Sequence, residues 1–225
     1  MLTVILAGGK STRFTHEGFP YQKHLLNMPD NRKLLEWQVD FLKPKNLVFI
    51  SRVEYKSTEK KLLVRVNKMV PNFMTWWIDR PTNGPLDGLL DAKNLLNTDS
   101  ELLICYNDEL VLPSVLDAML ERARKYSYKA AMIVFNTDNA RFTPVPKRPN
   151  LSAGCTYWFS SGKEFVKKAR RIERGREVGC PHVMYAFRNW YGHEAKGSEI
   201  IELGTAREYK IWAKEQGMTN ERMGF

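Results

Sequence analysis

The sequence predicts an α/β protein in which a mixed, mostly parallel sheet is flanked by helices. Short apolar stretches alternate with amphipathic stretches along the 225 residues, which is the pattern of βαβ units. Hydrophobic residues make up 43% of the chain, enough to fill a core. No internal repeat, low-complexity tract or interdomain linker divides the sequence. We therefore expect a single domain over residues 1–225.

The expected strands are short, buried runs rich in β-branched and aromatic residues. They are LTVILA from Leu2, NLVFIS from Asn46, FMTWWID from Phe73, ELLICYN from Glu101, KAAMIVFN from Lys129 and AGCTYWFS from Ala153. The expected helices carry apolar side chains at helical spacing. They are KLLEWQVDFLK from Lys33, STEKKLLVRVNKMV from Ser57, LDGLLDAKNLLN from Leu86, SVLDAMLERARKYS from Ser114 and GKEFVKKARRIERG from Gly162. The carboxyl-terminal third is less regular.

Charge and cysteine content narrow the class of function. A formal charge of +10 favours anionic partners such as nucleotides, phosphorylated metabolites, nucleic acid or acidic lipid heads. The cysteines, Cys105, Cys155 and Cys180, are odd in number and far apart, so neither a disulfide framework nor a zinc site is indicated. The sequence has no apolar run of membrane-spanning length and no signal-peptide core. We expect a cytoplasmic protein without membrane insertion.

The stretch MLTVILAGGKSTRF, Met1 to Phe14, is the most informative. An apolar strand ends in two glycines and then in a cluster of hydroxyl and basic side chains, which together suit phosphate oxygens. It matches neither G-x-x-x-x-G-K-[ST] nor the three-glycine dinucleotide fingerprint. Taken alone, the glycine pair could be only a strand-to-loop turn.

These residues resemble the nucleotidyltransferase family that includes sugar-1-phosphate nucleotidylyltransferases and short choline-phosphate cytidylyltransferases. LAGGKSTRF is similar to that family's L-A-[AG]-G-x-G-[ST]-R-[LFM] loop, and FPYQKHLLNM to its P-K-x-L segment, with Lys23 as the lysine. TNGPLDGLLDA resembles its nucleotide-contacting loop and helix, and LLICYNDELV resembles its strand ending in a metal aspartate. SAGCTYWFS resembles its strand under the acceptor, and IIELGTAREYKIW resembles its D-x-G-T-x-x-D-[FYL] segment.

The resemblance spans almost the whole chain and implies a Rossmann-like fold of the nucleotide-diphospho-sugar transferase type. It implies a nucleotide-binding half, residues 1–112, and an acceptor-binding half, residues 113–225. The implied reaction transfers a nucleoside monophosphate from a nucleoside triphosphate to a phosphorylated sugar or small alcohol and releases pyrophosphate. The product would serve a surface glycan or lipid pathway.

The resemblance also implies roles for individual residues. Arg13 would clamp the β- and γ-phosphates, Lys23 would draw the α-phosphate and the acceptor phosphate together, and Asp108 with Glu202 would hold Mg²⁺, or Mn²⁺ in its place. The catalytic residues would be Arg13, Lys23 and Asp108. The nucleotide-binding residues would be Leu6, Ala7, Gly8, Gly9, Lys10, Ser11, Thr12, Asn83, Gly84 and Asp87. The acceptor-binding residues would be Asn107, Gly154 and Tyr157.

Some positions depart from the family pattern. Ser11 stands at the second loop glycine, so the turn is either tighter or depends on the Ser11 hydroxyl. Glu202 stands at the second metal aspartate and is one methylene longer. A Glu-Lys-Pro segment before the acceptor strand has no equivalent in FTPVPKRPN, which makes a standard hexose acceptor a weaker expectation. Asp108 could instead be a turn cap, and Glu202 a solvated carboxylate.

Two other functions stay open from the sequence. A nucleotide-sugar-dependent glycosyltransferase of GT-A-like fold shares the sheet architecture, but Asn107-Asp108-Glu109 is not an Asp-x-Asp motif. A basic nucleic-acid-binding module fits the charge, but the basic residues are dispersed and no recognised motif accompanies them, so we expect no nucleic-acid partner. The nucleobase, the acceptor and the oligomeric state are left open, with a homo-oligomer among the alternatives.

Overall fold

The computed structural model describes residues 1–19, 22–137, 142–172 and 178–224, without the side chains of Arg13 and Pro149. The strands are β1 (Leu2–Leu6), β2 (Asn46–Arg52), β3 (Asn72–Ile78), β4 (Leu102–Tyr106), β5 (Glu109–Val111), β6 (Ala130–Phe135), β7 (Pro144–Val145), β8 (Arg148–Phe159), β9 (Trp190–Ala195) and β10 (Ile200–Glu202). The helices are α1 (Thr12–Thr15), α2 (Leu34–Leu42), α3 (Lys56–Met69), α4 (Pro85–Asp91), α5 (Lys93–Leu96), α6 (Pro113–Lys125), α7 (Gly162–Ala169), α8 (Cys180–Tyr185), α9 (Ala206–Glu215) and α10 (Asn220–Met223). A single 3₁₀ turn, Lys23–Leu25, matters for the site.

The central sheet has the strand order β3-β2-β1-β4-β8-β6-β9, with β7 paired to β8. Strands β1 to β4 are mutually parallel, and β9 is parallel to β6, whereas β8 runs antiparallel to both β4 and β6. The mixed, mostly parallel sheet is therefore confirmed. Because β1 to β4 all run in one direction, their carboxyl ends meet at one edge of the sheet, where open α/β folds bind ligands.

Apolar side chains cover both faces of the sheet. In β1, Val4 and Leu6 belong to a cluster with α4, α7 and α8, whereas Ile5 belongs to a cluster with α2 and α3. This alternation follows from the period of two in a strand. The near-continuous apolar run in the sequence is what a strand buried on both faces requires. Among the described residues no helix is long and apolar enough to cross a membrane.

The carboxyl-terminal segment packs against the amino-terminal third of the chain. Strand β10 pairs antiparallel with β5 in a separate two-stranded sheet. Tyr209 and Ala213 of α9 and Met223 of α10 are buried in a cluster with Phe14 and Phe19. This packing crosses the boundary between residues 112 and 113, so the division into a nucleotide half and an acceptor half stays a prediction.

Three element boundaries differ from those expected from the sequence. The helix expected over LDGLLDAKNLLN is interrupted at Ala92, where the chain turns between α4 and α5. Strand β8 begins at Arg148, earlier than AGCTYWFS, because its first part pairs with β7 and β6. Helix α7 ends at Ala169, before the end of GKEFVKKARRIERG, and residues 173–177 lie outside the described residues.

Gly162 provides a test of the packing between α5 and α7. A Cβ at this position would lie 2.1 Å from the Leu96 carbonyl oxygen and 3.0 Å from the Thr98 methyl carbon. We expect Gly162→Ala to lower the free energy of unfolding by about 1 to 3 kcal/mol, because the backbone must shift. The measurement is urea denaturation.

Gly197→Ala is the matched control, since the added Cβ would meet no atom of another part of the described chain within 4 Å. We expect it to change the free energy of unfolding by less than about 0.5 kcal/mol. Equal effects of the two substitutions would contradict the close approach of α7 to Leu96.

Candidate active site

A cavity of about 450 Å³ lies at the carboxyl edge of β1 to β4. Ten of the predicted site residues line this cavity: Leu6, Gly8, Gly9, Lys10, Ser11, Thr12, Lys23, Gly84, Asn107 and Asp108. The side chain of Arg13 lies outside the described residues, so its contact with phosphate stays a prediction. Ala7 is buried, and its N–H donates to the Ile50 carbonyl at 2.8 Å, which fixes the end of β1 to β2.

The glycines of the first loop serve different purposes. A Cβ on Gly8 would lie 3.1 Å from the Ile78 methyl at the end of β3, so this glycine lets the loop approach the neighbouring wall. A Cβ on Gly9 would meet nothing within 4 Å, so Gly9 is open toward the cavity. The loop therefore places backbone at the cavity surface, where an anion can reach its N–H groups.

Ser11 explains how the loop replaces its missing glycine. Its φ is 50°, in the left-handed region that glycine adopts most readily. Its hydroxyl oxygen accepts a hydrogen bond from the Lys23 backbone N–H at 3.3 Å. The hydroxyl thus links the loop to the 3₁₀ turn that carries Lys23. This agrees with the expectation that the loop depends on the Ser11 hydroxyl.

Lys23 and Asp108 are brought together from opposite ends of the first half of the chain. Lys23 Nζ lies 2.6 Å from Asp108 Oδ1. The lysine side chain is 9% exposed, the aspartate side chain is 33% exposed, and both line the cavity. The ammonium also lies 5.5 Å from the centre of the Phe14 ring. A phosphate that enters the cavity would compete with Asp108 for this ammonium.

Arg52 is a cavity residue that the sequence analysis missed. It ends β2, is 7% exposed and lines the cavity together with Lys10 and Lys23. Its guanidinium donates to Glu54, with Nε 2.9 Å from Oε1, and this hydrogen bond lowers the pKa of the Glu54 carboxyl. The available signal was a basic residue directly after an apolar strand parallel to β1.

Asp87 supports the cavity wall and does not line it. It is buried and accepts two hydrogen bonds from Arg80, at 3.0 and 3.1 Å, and one from the Asn83 N–H at 3.0 Å. The hydrogen bonds from Arg80 to Asp87 raise the pKa of the Arg80 guanidinium above its ordinary value. They hold the turn that leads to Gly84, whose φ is 111°. Nucleotide contacts by Asn83 and Asp87 stay predictions, and neighbouring Thr82 and Pro85 line the cavity instead.

Gly154 and Tyr157 lie behind the cavity wall. Tyr157 is buried, donates its hydroxyl to the Gly154 carbonyl and packs against Tyr106, with ring centres 5.4 Å apart. A Cβ on Gly154 would lie 2.8 Å from the Glu109 carboxylate. Tyr106, at the end of β4, lines the cavity in front of them. The predicted contact of Gly154 and Tyr157 with the acceptor stays a prediction.

Tyr106 is held rigidly at this wall. Its hydroxyl accepts from the Cys180 N–H at 2.9 Å, and its carbonyl accepts from Gln38 Nε2 at 3.0 Å. Burial raises the pKa of its phenol well above the ordinary value, so it stays neutral. Burial also raises the pKa of Cys105 and Cys180 to about 12, so neither thiol is a nucleophile at neutral pH.

Glu202 lies outside the parallel sheet. It ends β10 and lies opposite Glu109 in the antiparallel two-stranded sheet, and its predicted contact with a metal stays a prediction. The chain still returns to Asp108, because the Leu203 N–H donates to the Asp108 carbonyl at 2.8 Å and Gly204 lines the cavity. The three-residue strand β10 is too short for the sequence to predict that it pairs with β5.

The donor set at the cavity suits one hard cation. Asp108 offers carboxylate oxygens at the cavity surface, the donor type that Mg²⁺ prefers. Within the described ranges, no group of three or more His, Cys, Asp and Glu side chains could hold a metal by itself. A divalent ion here would therefore take substrate oxygens among its ligands, as ions at triphosphates do.

Two substitutions at Ser11 test the loop. We expect Ser11→Ala to be less stable than Ser11→Gly by about 1 kcal/mol, because both variants lose the hydroxyl but only alanine keeps the left-handed strain. Urea denaturation of the two variants measures the difference. An alanine variant as stable as the glycine variant would contradict this conformation of Ser11.

Comparison with known proteins agrees with this geometry. Residues 3–186 match the family described as the MobA-like NTP transferase domain. No curated protein matches the sequence. Among solved structures, the chain is similar to a putative glucose-1-phosphate thymidylyltransferase from Bacillus anthracis in complex with a sucrose, with a TM-score of 0.78, 15% identity and coverage of 98% of this chain and 96% of that one.

Two further solved structures share the fold. A nucleoside-diphosphate-sugar pyrophosphorylase from Vibrio cholerae RC9 has a TM-score of 0.71 at 17% identity and covers 95% of this chain and 100% of its own. An inositol-1-phosphate CTP transferase from T. maritima has a TM-score of 0.72 at 10% identity, with coverage of 95% and 93%. From the family match over most of its length, the chain belongs to the MobA-like NTP transferase family and is a nucleotidyltransferase.

Proposed function

We propose that the protein transfers a nucleoside monophosphate from a nucleoside triphosphate to the phosphate of a small sugar or alcohol and releases pyrophosphate. The observation that carries this proposal is the 2.6 Å contact between Lys23 and Asp108 in a cavity that Lys10 and Arg52 also line. The solved structures of similar fold include proteins named for glucose-1-phosphate and inositol-1-phosphate, which supports both acceptor classes.

The reaction joins two anions, so the site must neutralise charge and align the reactants. An acceptor phosphate oxygen attacks the α-phosphorus, and the bond from that phosphorus to the bridging oxygen breaks, so pyrophosphate leaves with the electron pair. Lys23 would turn from Asp108 toward the α-phosphate and the acceptor phosphate. Lys10 and Arg52 would hold the remaining phosphate oxygens together with Arg13. No side chain is needed as a nucleophile.

A divalent cation fits this arrangement. Asp108 would hold Mg²⁺ or Mn²⁺, with Glu202 as the second carboxylate through its longer side chain. The ion would draw negative charge from the triphosphate oxygens. Lys23 and Asp108 would then separate in function, since the ammonium contacts phosphate while the carboxylate contacts the ion.

The acceptor would lie against Tyr106 and Asn107. Both line the cavity at the end of β4, on the side nearest β8 and α8. The nucleotide would occupy the opposite side, between the first loop and the turn at residues 81–85, where Pro81, Thr82, Gly84 and Pro85 also line the cavity. This arrangement keeps the acceptor phosphate near Lys23, between the two substrates.

A substrate panel tests the proposal. Each nucleoside triphosphate is combined with phosphorylated sugars and alcohols, and pyrophosphate is measured in the presence of Mg²⁺. We expect release that requires both substrates. Release of nucleoside diphosphate from a nucleotide sugar, without pyrophosphate, would instead indicate a glycosyltransferase. Tight, salt-sensitive binding of DNA or RNA without turnover would indicate the nucleic-acid alternative.

Lys23→Ala tests the role of the lysine. We expect kcat to fall about 100- to 1000-fold, which corresponds to roughly 3 to 4 kcal/mol of transition-state stabilisation, because one charged donor is lost. Binding of the triphosphate alone should weaken much less. Steady-state kinetics and calorimetry measure the two quantities.

Lys163→Ala is the matched control, because Lys163 also pairs with an aspartate, Asp99, at 2.8 Å but lies on the surface with 52% exposure. We expect its kcat to equal that of the unmodified protein. A Lys23 variant that merely fails to bind nucleotide, with normal turnover at saturation, would show that the lysine acts in binding and not in the transfer step.

The metal assignment is tested with Asp108→Asn and Glu202→Gln, which keep shape and remove charge. Activity should vanish with a chelator and return with Mg²⁺ or Mn²⁺. We expect Asp108→Asn to lower kcat at least about 100-fold and to raise the Mg²⁺ concentration needed, and Glu202→Gln to do less, because only Asp108 lines the cavity.

Asp99→Asn, the surface partner of Lys163, controls for loss of an ion pair. It should leave the Mg²⁺ titration unchanged. If Asp108→Asn kept the original rate and the original metal dependence, the ion would have to bind elsewhere.

A further inference from the structure

Three wholly buried polar residues lie behind the cavity. They come from different elements: His24 from the 3₁₀ turn, Ser51 from β2 and Glu59 from α3. The Ser51 hydroxyl donates to Glu59 Oε1 at 2.7 Å. His24 Nε2 lies 2.7 Å from the same oxygen. A single carboxylate oxygen therefore contacts two segments of the chain.

Each of those segments also carries a cavity cation. His24 directly follows Lys23, and Ser51 directly precedes Arg52. Because neighbouring side chains of a strand point to opposite faces, Ser51 turns toward Glu59 while Arg52 turns toward the cavity. Glu59 thus ties together the backbones of the two residues whose cationic groups line the cavity.

Stability alone gives no reason for this cluster. A carboxylate and an imidazole are costly to bury, and apolar replacements of buried ionic pairs are often neutral or stabilising. The cluster is also incompletely bonded, since both ring nitrogens of His24 and Glu59 Oε2 make no hydrogen bond among the described residues, although His24 Nε2 lies within ion-pair distance of Glu59 Oε1. His24 packs its ring edge against Phe49 at 5.4 Å, so an apolar side chain would suit its surroundings.

We propose that Glu59 is a positioning residue that sets the separation of Lys23 and Arg52, through His24 on one side and Ser51 on the other. This inference rests on the proposed function, in which both cations contact the phosphates of one reaction. A carboxylate is suited to this role because one charged oxygen can attract the imidazole of His24 while it accepts from the Ser51 hydroxyl, whereas dispersion contacts between apolar side chains have no such direction. Phosphoryl chemistry is sensitive to small displacements of the groups that align the reactants.

The first test is Glu59→Gln, which keeps the volume and an oxygen for Ser51 but removes the charge that attracts His24. We expect kcat for pyrophosphate release to fall about tenfold, while the dissociation constant of the triphosphate changes less than about twofold. Glu36→Gln is the matched control. Glu36 is also a buried carboxylate, but it pairs with Arg65 at 2.8 Å and does not line the cavity.

The control should lose stability without losing kcat, both measured well below the unfolding temperature. A purely structural role for Glu59 would make the two variants alike. Equal kcat values for Glu59→Gln and the unmodified protein would overturn the proposal.

A double variant, His24→Leu/Glu59→Leu, separates positioning from stability. It replaces the buried polar pair by apolar groups, so we expect a folded protein, by circular dichroism, whose kcat is still reduced about tenfold or more. A folded double variant with the original kcat would overturn the proposal. The double variant therefore tests the proposal even if Glu59→Gln does not fold.

A crystal structure of Glu59→Gln gives a readout that does not require activity. We expect the contact of Lys23 Nζ with Asp108 Oδ1, now 2.6 Å, to lengthen beyond the 4 Å of an ion pair. An unchanged contact would overturn the inference even if the protein were active. If the unmodified protein released no pyrophosphate with any substrate pair, the proposed function would fail, while this distance would still decide whether Glu59 positions Lys23.

Discussion

The contact between Lys23 and Asp108 depends on the parallel pairing of β1 with β4. Leu6 is paired with Tyr106 in this register, so the loop after β1 and the turn after β4 leave the sheet side by side. Lys23 reaches Asp108 from a turn that is tied back to that loop through the Ser11 hydroxyl. If the register of β1 and β4 slipped by one residue, every side chain of β1 would change face and the ion pair would be lost. The site and the core therefore share one constraint.

The contact between Lys23 and Asp108 also shows how the cavity neutralises its own buried cations. Lys23 is nearly buried, and an unpaired ammonium there would be unfavourable, so Asp108 supplies its partner. Arg52 is equally buried and takes Glu54. Both cations thus have a carboxylate that a phosphate can replace, and the exposed end of Glu54 and the one-third exposed Asp108 can be solvated when this happens. This exchange suits a site that must hold a polyanion and then release pyrophosphate.

The cavity residues that were predicted lie in stretches that resemble the family's motifs. Leu6, Gly8 to Thr12, Lys23 and Asp108 all line the cavity, and each belongs to such a stretch. Arg52 was missed because its position depends on β2 being the neighbour of β1, which no local pattern states. The ion pair of Asp87 with Arg80 was not predicted, because Arg80 lies outside the motif. The pairing of the strand that carries Glu202 with β5 was not predicted, because a three-residue strand gives too short a pattern.

The carboxyl-terminal segment shows why part of the site lies outside the family match. The match ends at residue 186, yet Gly204 lines the cavity and the Leu203 N–H binds the Asp108 carbonyl. Beyond them, the Tyr209 hydroxyl donates to the Asn27 carbonyl at 2.7 Å, just after the turn that carries Lys23. Because β10 holds the backbone of Asp108 and α9 holds the backbone that follows Lys23, the two partners of the ion pair are supported by the same segment. A loop of glycine and hydroxyl residues is intrinsically easy to deform. The carboxyl-terminal segment supplies the packing that keeps Lys23 in place beside this loop.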